Sequence, residues 1–230
     1  MNYLYLLVDL GALSVPLLFS FHPKIQLYKQ YPSLWSAIIL TTIPFIIWDS
    51  HFTHIKVWGF NPDYLLGIYF WGLPIEEILF FICIPYACLF TYYCFRLYLS
   101  NTFSLKYEKL ITLIFLTLTL AGGFLFYDRL YTFYTSVFLG ITLVLSLIFR
   151  LKWLSKFYYV HMFLLLPFFI VNGILTGTGL EKPIVWYNDN ENMALRIVTI
   201  PMEDIFYGML MLLINTCLFE YFMAFRRKTL

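Results

Sequence analysis

The sequence predicts an all-α membrane protein with about seven transmembrane helices, arranged as a parallel 3+1+3 internal repeat. Of its 230 residues, 61% are hydrophobic and only 12% are charged, whereas soluble proteins carry about 25% charged residues. Long apolar segments follow one another along the chain, and a four-residue acidic motif occurs twice, 127 residues apart. The net charge of +2 gives no indication of a nucleic-acid partner.

Seven apolar segments account for the helices, since a span needs about 20 mostly apolar residues to cross the hydrocarbon core. The second and fourth are short, and the second contains Pro44. The seventh is longer than necessary, so we expect it to tilt or to emerge from the membrane. The first lacks a basic leading region and a small-residue cleavage site, so we expect a retained helix rather than a signal peptide. The segments cover residues 3–21, 33–48, 74–95, 110–126, 131–149, 157–175 and 196–224.

Basic residues in the connecting segments are distributed unequally between the two predicted sides of the membrane. The side with more lysine and arginine is normally cytoplasmic. We therefore expect a multi-pass protein of the bacterial cytoplasmic membrane, with its N-terminus outside, its C-terminus cytoplasmic, and the long connections 51–73 and 177–195 outside. The richer side holds Lys24, Lys29, Arg96, Lys106, Lys109, Arg150, Lys152, Lys156, Arg226, Arg227 and Lys228, and the other side holds Lys56, Arg129, Lys182 and Arg196.

An internal repeat relates the two halves of the chain. A shift of 127 residues places the Pro-Ile-Glu-Glu sequence at 74–77 on the Pro-Met-Glu-Asp sequence at 201–204, and Asn61 on Asn188. The first three helices then correspond to the last three. Because four helices separate the copies, both have the same orientation in the membrane. We predict a first repeat at 1–100, a connector helix at 101–127 and a second repeat at 128–230.

Each motif places a proline and two acids at the beginning of a helix. Proline is favoured at the first helical position, and acids in the first turn can simply complement the helix dipole. Acids within membrane spans, however, usually face a cavity or the bundle interior. We predict that Glu76 and Glu203 face opposite walls of one pocket, with Glu77 and Asp204 supporting them, because close carboxyl groups in an apolar site can divide acid and base roles.

These motifs resemble the Pro-x-Glu-Glu/Asp motifs of the membrane-integral lycopene cyclases. The resemblance includes Gly72-Leu73 before the first motif and Ile200 before the second, Trp48-Asp49 in the first half and the sequence Asn-Gly-Ile-Leu-Thr at 172–176 in the second. Length, helix number and repeat also agree, so the resemblance covers nearly the whole chain. That family includes pairs of small subunits and fused chains, and this sequence is similar to the fused form.

The resemblance implies an intramolecular lyase or isomerase of carotenoid biosynthesis, a lycopene β-cyclase that produces γ-carotene and β-carotene. An acid protonates C2 at the end of lycopene, the C5=C6 bond attacks the C1 cation, and loss of the C6 proton completes the β-ring. The catalytic candidates are Glu76, Glu77, Glu203 and Asp204. The substrate-binding candidates are two polar residues that can support the acids and aromatic residues that can stabilise a cation, namely Asp49, Asn172, Trp48, Trp71, Phe80, Trp186 and Tyr207.

We expect no cofactor, because this cyclisation involves no net redox change. The Gly-Thr-Gly sequence at 177–179 lacks the third glycine and the strand–helix context of a dinucleotide-binding fingerprint. Asp49, His51 and His54 have a spacing that a metal could use, yet we expect interfacial polar packing there and no metal. The expected partners are a lipophilic carotenoid within the bilayer, membrane lipids, and a second copy of the chain or other carotenoid enzymes.

Two other functions remain open. A small-solute transporter of the 3+1+3 helix-repeat type could bind protons or solutes with paired acids, although the acids cluster on one side of the membrane rather than at mid-depth. A membrane scaffold would leave the duplicated acids without a function. An acid-to-amide change separates the three hypotheses, because it abolishes cyclisation, impairs coupled transport or leaves a scaffold intact.

Overall fold

The computed structural model describes residues 3–99 and 107–229, and this part of the chain forms seven α-helices. Six of them, α2 to α7, are long and apolar enough to cross a membrane, which confirms the predicted all-α membrane class. The 16 residues of α1 extend about 24 Å, a little less than a ~30 Å hydrocarbon core. The helices are α1 (Leu4–Phe19), α2 (Tyr31–His54), α3 (Ile75–Tyr98), α4 (Glu108–Leu125), α5 (Leu130–Phe149), α6 (Leu154–Leu175) and α7 (Met202–Thr229).

Several helix boundaries differ from the sequence prediction. The 24 residues of α2 show that the expectation of a short second helix was wrong, because Pro44 lies inside the helix without ending it. The last helix begins at Met202 rather than at residue 196, because residues 196–201 form a β-hairpin. Pro74 immediately precedes α3, with an extended ψ of 148°, instead of occupying its first position. Lys106, which contributed to the predicted orientation, lies outside the described residues.

Prolines inside α1, α3 and α6 shape the space between these helices. A proline inside a helix lacks the N–H that would bond the carbonyl four residues earlier, and its ring favours a kink. For Pro85 that carbonyl belongs to Phe81, and Thr42 Oγ1 of α2 donates to it at 2.8 Å. Backbone groups freed within lipid need such replacements, so α2 satisfies the interruption in α3.

The main hydrophobic core lies where α2, α3, α5 and α7 pack together. Helix α4 packs along α5, whereas α1 packs along α3 and makes little contact with α6. This uneven packing leaves space beside α1 that the other helices do not fill. Core side chains include Phe45, Phe81, Leu139, Leu143, Met209 and Leu213.

Short strands form three two-stranded antiparallel sheets in the connections α2–α3 and α6–α7. Strand β1 (Trp58–Phe60) pairs with β4 (Val185–Tyr187), one from each half of the chain, and we call this pair the ribbon. A hairpin of β2 (Tyr69–Phe70) and β3 (Leu73–Pro74) precedes α3. A matching hairpin of β5 (Arg196–Ile197) and β6 (Ile200–Pro201) precedes α7. Each hairpin therefore delivers one acidic motif to the start of a helix.

Backbone hydrogen bonds in the two halves recur at the 127-residue spacing. Asn61 N donates to Ile184 O at 2.8 Å, and Asn188 N donates to Val57 O at 2.9 Å. Val57 and Ile184 are themselves 127 residues apart, so each half gives the other the same bond. A two-fold axis produces such reciprocal contacts. We infer on this ground that residues 1–100 and 128–230 are copies of one unit, joined by residues 101–127.

Gly59 lies at the centre of the ribbon, opposite Trp186. A Cβ atom at residue 59 would lie 2.4 Å from Cζ2 of the Trp186 ring. We expect Gly59→Ala to lower the free energy of unfolding by about 1–3 kcal/mol, the usual cost of overpacking, as measured by thermal unfolding in detergent. In a Trp186→Ala background the same change should cost much less, because the ring is absent. Equal costs in the two backgrounds would refute this explanation.

Candidate active site

A cavity of about 290 Å³ lies below the ribbon, between α1, α3, α6 and α7. Its lining is mostly apolar, as in many small-molecule sites. Three carboxyl groups line it, and all three lie at the ribbon end. Asp49 is near the end of α2, while Glu77 and Asp204 are in the first turns of α3 and α7. The two acidic motifs therefore contribute one residue each to a common chamber.

Asp204 accepts three hydrogen bonds from neutral donors. Tyr131 Oη donates to Oδ1 at 2.6 Å, while Asn172 Nδ2 and Tyr187 Oη donate to Oδ2 at 2.7 and 3.0 Å. Burial and the neighbouring Asp204 carboxyl raise the pKa of the Tyr187 hydroxyl well above its ordinary value, so Tyr187 remains a donor. Three donors to one buried carboxylate favour its ionised form. The predicted support of an acid by Asn172 thus corresponds to a direct contact in the structure.

Glu77 is less well supported by hydrogen bonds than Asp204. The Tyr5 hydroxyl donates to Glu77 Oε2 and is the one donor that the described residues supply. Tyr5 comes from the first turn of α1 and Tyr131 from the first turn of α5, so each motif acid facing the cavity is bonded by a tyrosine of its own half. The two halves differ in what surrounds that tyrosine–acid pair.

Asp49 joins the first half of the site to the ribbon. Trp58 Nε1 of β1 donates to Asp49 Oδ1 at 2.5 Å, and Asp49 Oδ2 is buried without a partner. Trp58 lies opposite Tyr187 in the ribbon. Each strand therefore provides a hydrogen-bond donor to one of the cavity carboxyl groups. The ribbon consequently both closes the cavity and orients its acids.

Glu76 and Glu203 do not face the cavity, so our expectation that they form its opposite walls was wrong. Glu76 Oε1 accepts from Leu66 N at 2.6 Å, and Glu203 Oε1 accepts from Met193 N at 2.7 Å. Both side chains are almost completely buried. These acids hold the connection before each hairpin, while the next residue of each motif, Glu77 or Asp204, points into the chamber.

Aromatic side chains form much of the chamber wall near the acids. The rings of Trp58 and Tyr131 lie 5.0 Å apart, and Tyr131 stacks on Tyr187 at 5.8 Å. Phe80 and Tyr207 also line the cavity, as do Asp49 and Asn172. The structure thus brings four of the seven substrate-binding candidates to the cavity. Aromatic faces near carboxyl groups provide a surface that can stabilise a cation.

The three tryptophan candidates lie away from the cavity. Trp48 packs behind Tyr207, with a ring separation of 5.2 Å. Trp71 is 65% exposed in a hairpin turn. Trp186 lies over Gly59 on the other face of the ribbon, because successive side chains of a strand point to opposite sides. A place near the motif in sequence did not ensure a place at the cavity.

Sequence reasoning missed four residues that contact the cavity acids. They are Tyr5, Trp58, Tyr131 and Tyr187. A shift of 126 residues aligns Tyr5 with Tyr131 at the starts of two corresponding helices, and Trp58 lies within a segment that the repeat comparison had already matched. The repeat therefore contained a signal for three of them. Nearby basic residues pair elsewhere: Arg129 lies 3.9 Å from Asp128, and Arg196 lies 2.5 Å from Asp189.

Comparison with known proteins gives the same family for both halves. A bifunctional lycopene cyclase/phytoene synthase of Podospora anserina is 32% identical over 79 residues, covering 34% of this chain and 13% of that protein. A protein of the same description from Aspergillus niger is 36% identical over 62 residues, covering 27% and 10%. The match thus spans a small fraction of these longer relatives. No solved structure matches the chain. The family model described as lycopene cyclase matches residues 2–95 and 128–222, and the chain therefore belongs to the lycopene cyclase family.

Proposed function

We propose that this protein is a lycopene β-cyclase, which closes the linear ends of lycopene into β-rings and forms γ-carotene and then β-carotene without a cofactor. The observation that carries the proposal is the unequal hydrogen bonding of two acids in one apolar cavity. Asp204 accepts three hydrogen bonds and Glu77 accepts one. The curated relatives include lycopene cyclase in their descriptions, which supports the same activity here.

Glu77 is the proton donor in this proposal. An ionised carboxylate in an apolar interior needs donors to offset its lost hydration, and Glu77 has only Tyr5. Glu77 therefore holds a proton before the reaction and transfers it to C2 of the substrate. The Glu77 O–H bond breaks, a C2–H bond forms, and C1 becomes positively charged. General acid catalysis needs this protonated group within reach of the reacting carbon.

Aromatic side chains and the ribbon protect the cation. The electrons of the C5=C6 bond attack C1, which closes the six-membered ring and moves the positive charge to C5. The rings of Trp58, Phe80 and Tyr207 line the chamber, and an aromatic face stabilises a desolvated cation by about 2 kcal/mol. The ribbon excludes water, which would otherwise add to the cation.

Asp204 is the base that completes the ring. Its carboxylate, stabilised by Tyr131, Asn172 and Tyr187, takes the proton from C6, and the electrons of the C6–H bond form the new C5=C6 bond. Glu77 is then ionised and Asp204 protonated. Return of one proton across the cavity restores the initial state, so neither protons nor electrons are consumed.

Glu76 and Glu203 have a supporting catalytic role in this proposal. Each accepts a hydrogen bond from a backbone amide ten residues earlier, at Leu66 and Met193. These bonds fix the start of α3 and of α7 against the preceding connection. Glu77 and Asp204 are thereby held on opposite sides of the chamber, at positions that a loosely held helix end would not maintain.

The transporter hypothesis has less support from this arrangement. Transport sites commonly lie near the membrane midplane, at the interface of two repeats. The cavity carboxyl groups instead lie in the first turns of α3 and α7 and in the last turns of α2. They are therefore close to one face of the bundle, directly beneath the ribbon.

Pigment analysis tests the proposed activity. We expect a bacterium that accumulates lycopene to form γ-carotene and β-carotene when this chain is expressed alone, as separated by chromatography and identified by absorption and mass. Cells with the empty vector should retain lycopene. Unchanged lycopene despite insertion of the protein in the membrane would contradict the proposal, and solute uptake would then be measured.

A further inference from the structure

The cavity extends far from its acids, in the direction away from the ribbon. From Asp204 to Asn215, both of which line it, α7 advances about 16 Å, and from Glu77 to Thr91 α3 advances about 21 Å at 1.5 Å per residue. An extended forty-carbon polyene is longer than either distance. The cavity therefore holds one end of such a molecule while the remainder passes outside.

Helices α1 and α6 meet only near the ribbon. Tyr5 and Val8 of α1 belong to one packed cluster with Val171 and Leu175 of α6. Farther from the ribbon the two helices make little contact, although Ala12 of α1 and residues of α6 still line the same cavity. The helices thus leave a gap that begins below their shared cluster.

Residues at this gap connect the cavity with the surface of the bundle. Pro167 of α6 lines the cavity and is exposed, and it lies among exposed apolar residues, including Leu166 and Ile170. Pro16 of α1 also lines the cavity. Prolines inside both helices favour bends away from straight packing. The exposed apolar surface of a membrane bundle faces lipid, so the gap leads from lipid to the chamber.

We propose that the gap between α1 and α6 is the route by which a linear polyene enters from the lipid, acyclic end first, and that its far end stays in this gap during ring closure. The proposal rests on the proposed cyclase function and deepens it. Ala12 lies seven residues after Tyr5, or about 10 Å along α1, and Pro167 lies five residues before Asn172, or about 8 Å along α6. The gap is therefore close enough for the leading end to reach the acids.

This route requires each molecule to react one end at a time. All three carboxyl groups that line the cavity lie at its ribbon end, so the trailing end cannot react in the same binding event. The one-ringed product must leave, turn and enter again by its remaining acyclic end. On that second entry the trailing end carries a ring, which is wider than the acyclic end. A narrower gap should therefore slow the second cyclisation more than the first.

Two matched pairs of substitutions test the route, with neighbouring residues on the same helix as controls. Ala12 and Leu165 line the cavity, whereas Gly11 has open space around it and Leu166 is 68% exposed. We expect Ala12→Phe and Leu165→Trp to lower the rate of two-ringed product formation about tenfold or more by steric obstruction, and to raise the ratio of one-ringed to two-ringed carotene. Gly11→Phe and Leu166→Trp should match the parent.

The outcomes separate this proposal from the proposed function. If the parent cyclises lycopene while the lining variants equal their lipid-facing controls in rate and product ratio, the entry route is wrong and the cyclase assignment stands. If the parent forms no cyclic carotene, the function itself fails. The smaller changes Ala12→Val and Ala12→Leu keep the test informative if the phenylalanine variant unfolds, because obstruction predicts a graded effect with side-chain volume.

Discussion

Replacement of Glu77 by glutamine should lower the rate of ring formation at least 100-fold without reducing the amount of folded protein. The glutamine side chain keeps the volume of Glu77 and can accept the hydrogen bond from Tyr5, but it has no acidic proton for C2. General acid catalysis contributes about 10²–10⁴-fold in enzymes, so the loss should fall in that range. The initial rate of lycopene consumption by purified protein in lipid vesicles measures it.

Glu76→Gln is the matched control within the same motif. Its carbonyl oxygen can still accept from Leu66 N, so we expect the rate per folded molecule to remain within about tenfold of the parent. The new amide replaces Oε2, which is buried without a partner, and the unpaired donor should cost about 1–3 kcal/mol of stability. Equal losses of rate for the two glutamine variants would contradict the assignment of the donor to Glu77.

Asp204→Asn should lower the rate at least 100-fold, as expected for loss of a general base. The amide keeps the shape of Asp204 and remains within reach of Tyr131, Asn172 and Tyr187, but it cannot take the C6 proton. The same vesicle assay measures the change. Glu203→Gln is the control, because its carbonyl oxygen can keep the bonds from Thr132 Oγ1 and Met193 N and should retain most of the rate.

Single hydroxyl deletions test the division of roles between the acids. Tyr187→Phe removes a donor from an ionised Asp204 and should lower the rate about tenfold, since a hydrogen bond to a charged group is worth about 1.5–3 kcal/mol. Tyr5→Phe removes the donor of a Glu77 that is already protonated, so it should cost less. The opposite order of effects would indicate that Asp204 is the acid and Glu77 the base.

The sequence was sufficient for the helices but not for all of their ends. Apolar length is a direct requirement of the bilayer, so it revealed the segments that form α2 to α7. Residues 196–201 include Ile197, Val198 and Ile200, which suit a strand and a buried helix equally by hydropathy, and the hairpin was therefore read as part of the last helix. The orientation, based on the basic residues, stays a prediction.

The motif located the site, but helix phase decided which acid faces it. Adjacent helical positions differ by about 100°, and sequence contains no reference direction until the neighbouring helices are placed. Glu76 turned toward the amide of Leu66 and Glu77 toward the cavity. Strand alternation made the equivalent choice in the ribbon, where Val185 and Tyr187 line the cavity and Trp186 does not. Recognition of the strand would have predicted that alternation.

The shared ribbon sets an order of events during biosynthesis. A ribosome completes α1 to α3, with Glu77 and Asp49 in place, long before it reaches residues 185–187. Until then Trp58 has no partner strand, and the wall that carries Asp204 does not exist. The nascent first half is therefore an open, water-accessible bundle with no base opposite its acid. Pairing of β1 with β4 joins the halves and seals the chamber in one event, so the polypeptide acquires its chemistry only when its last membrane segments arrive.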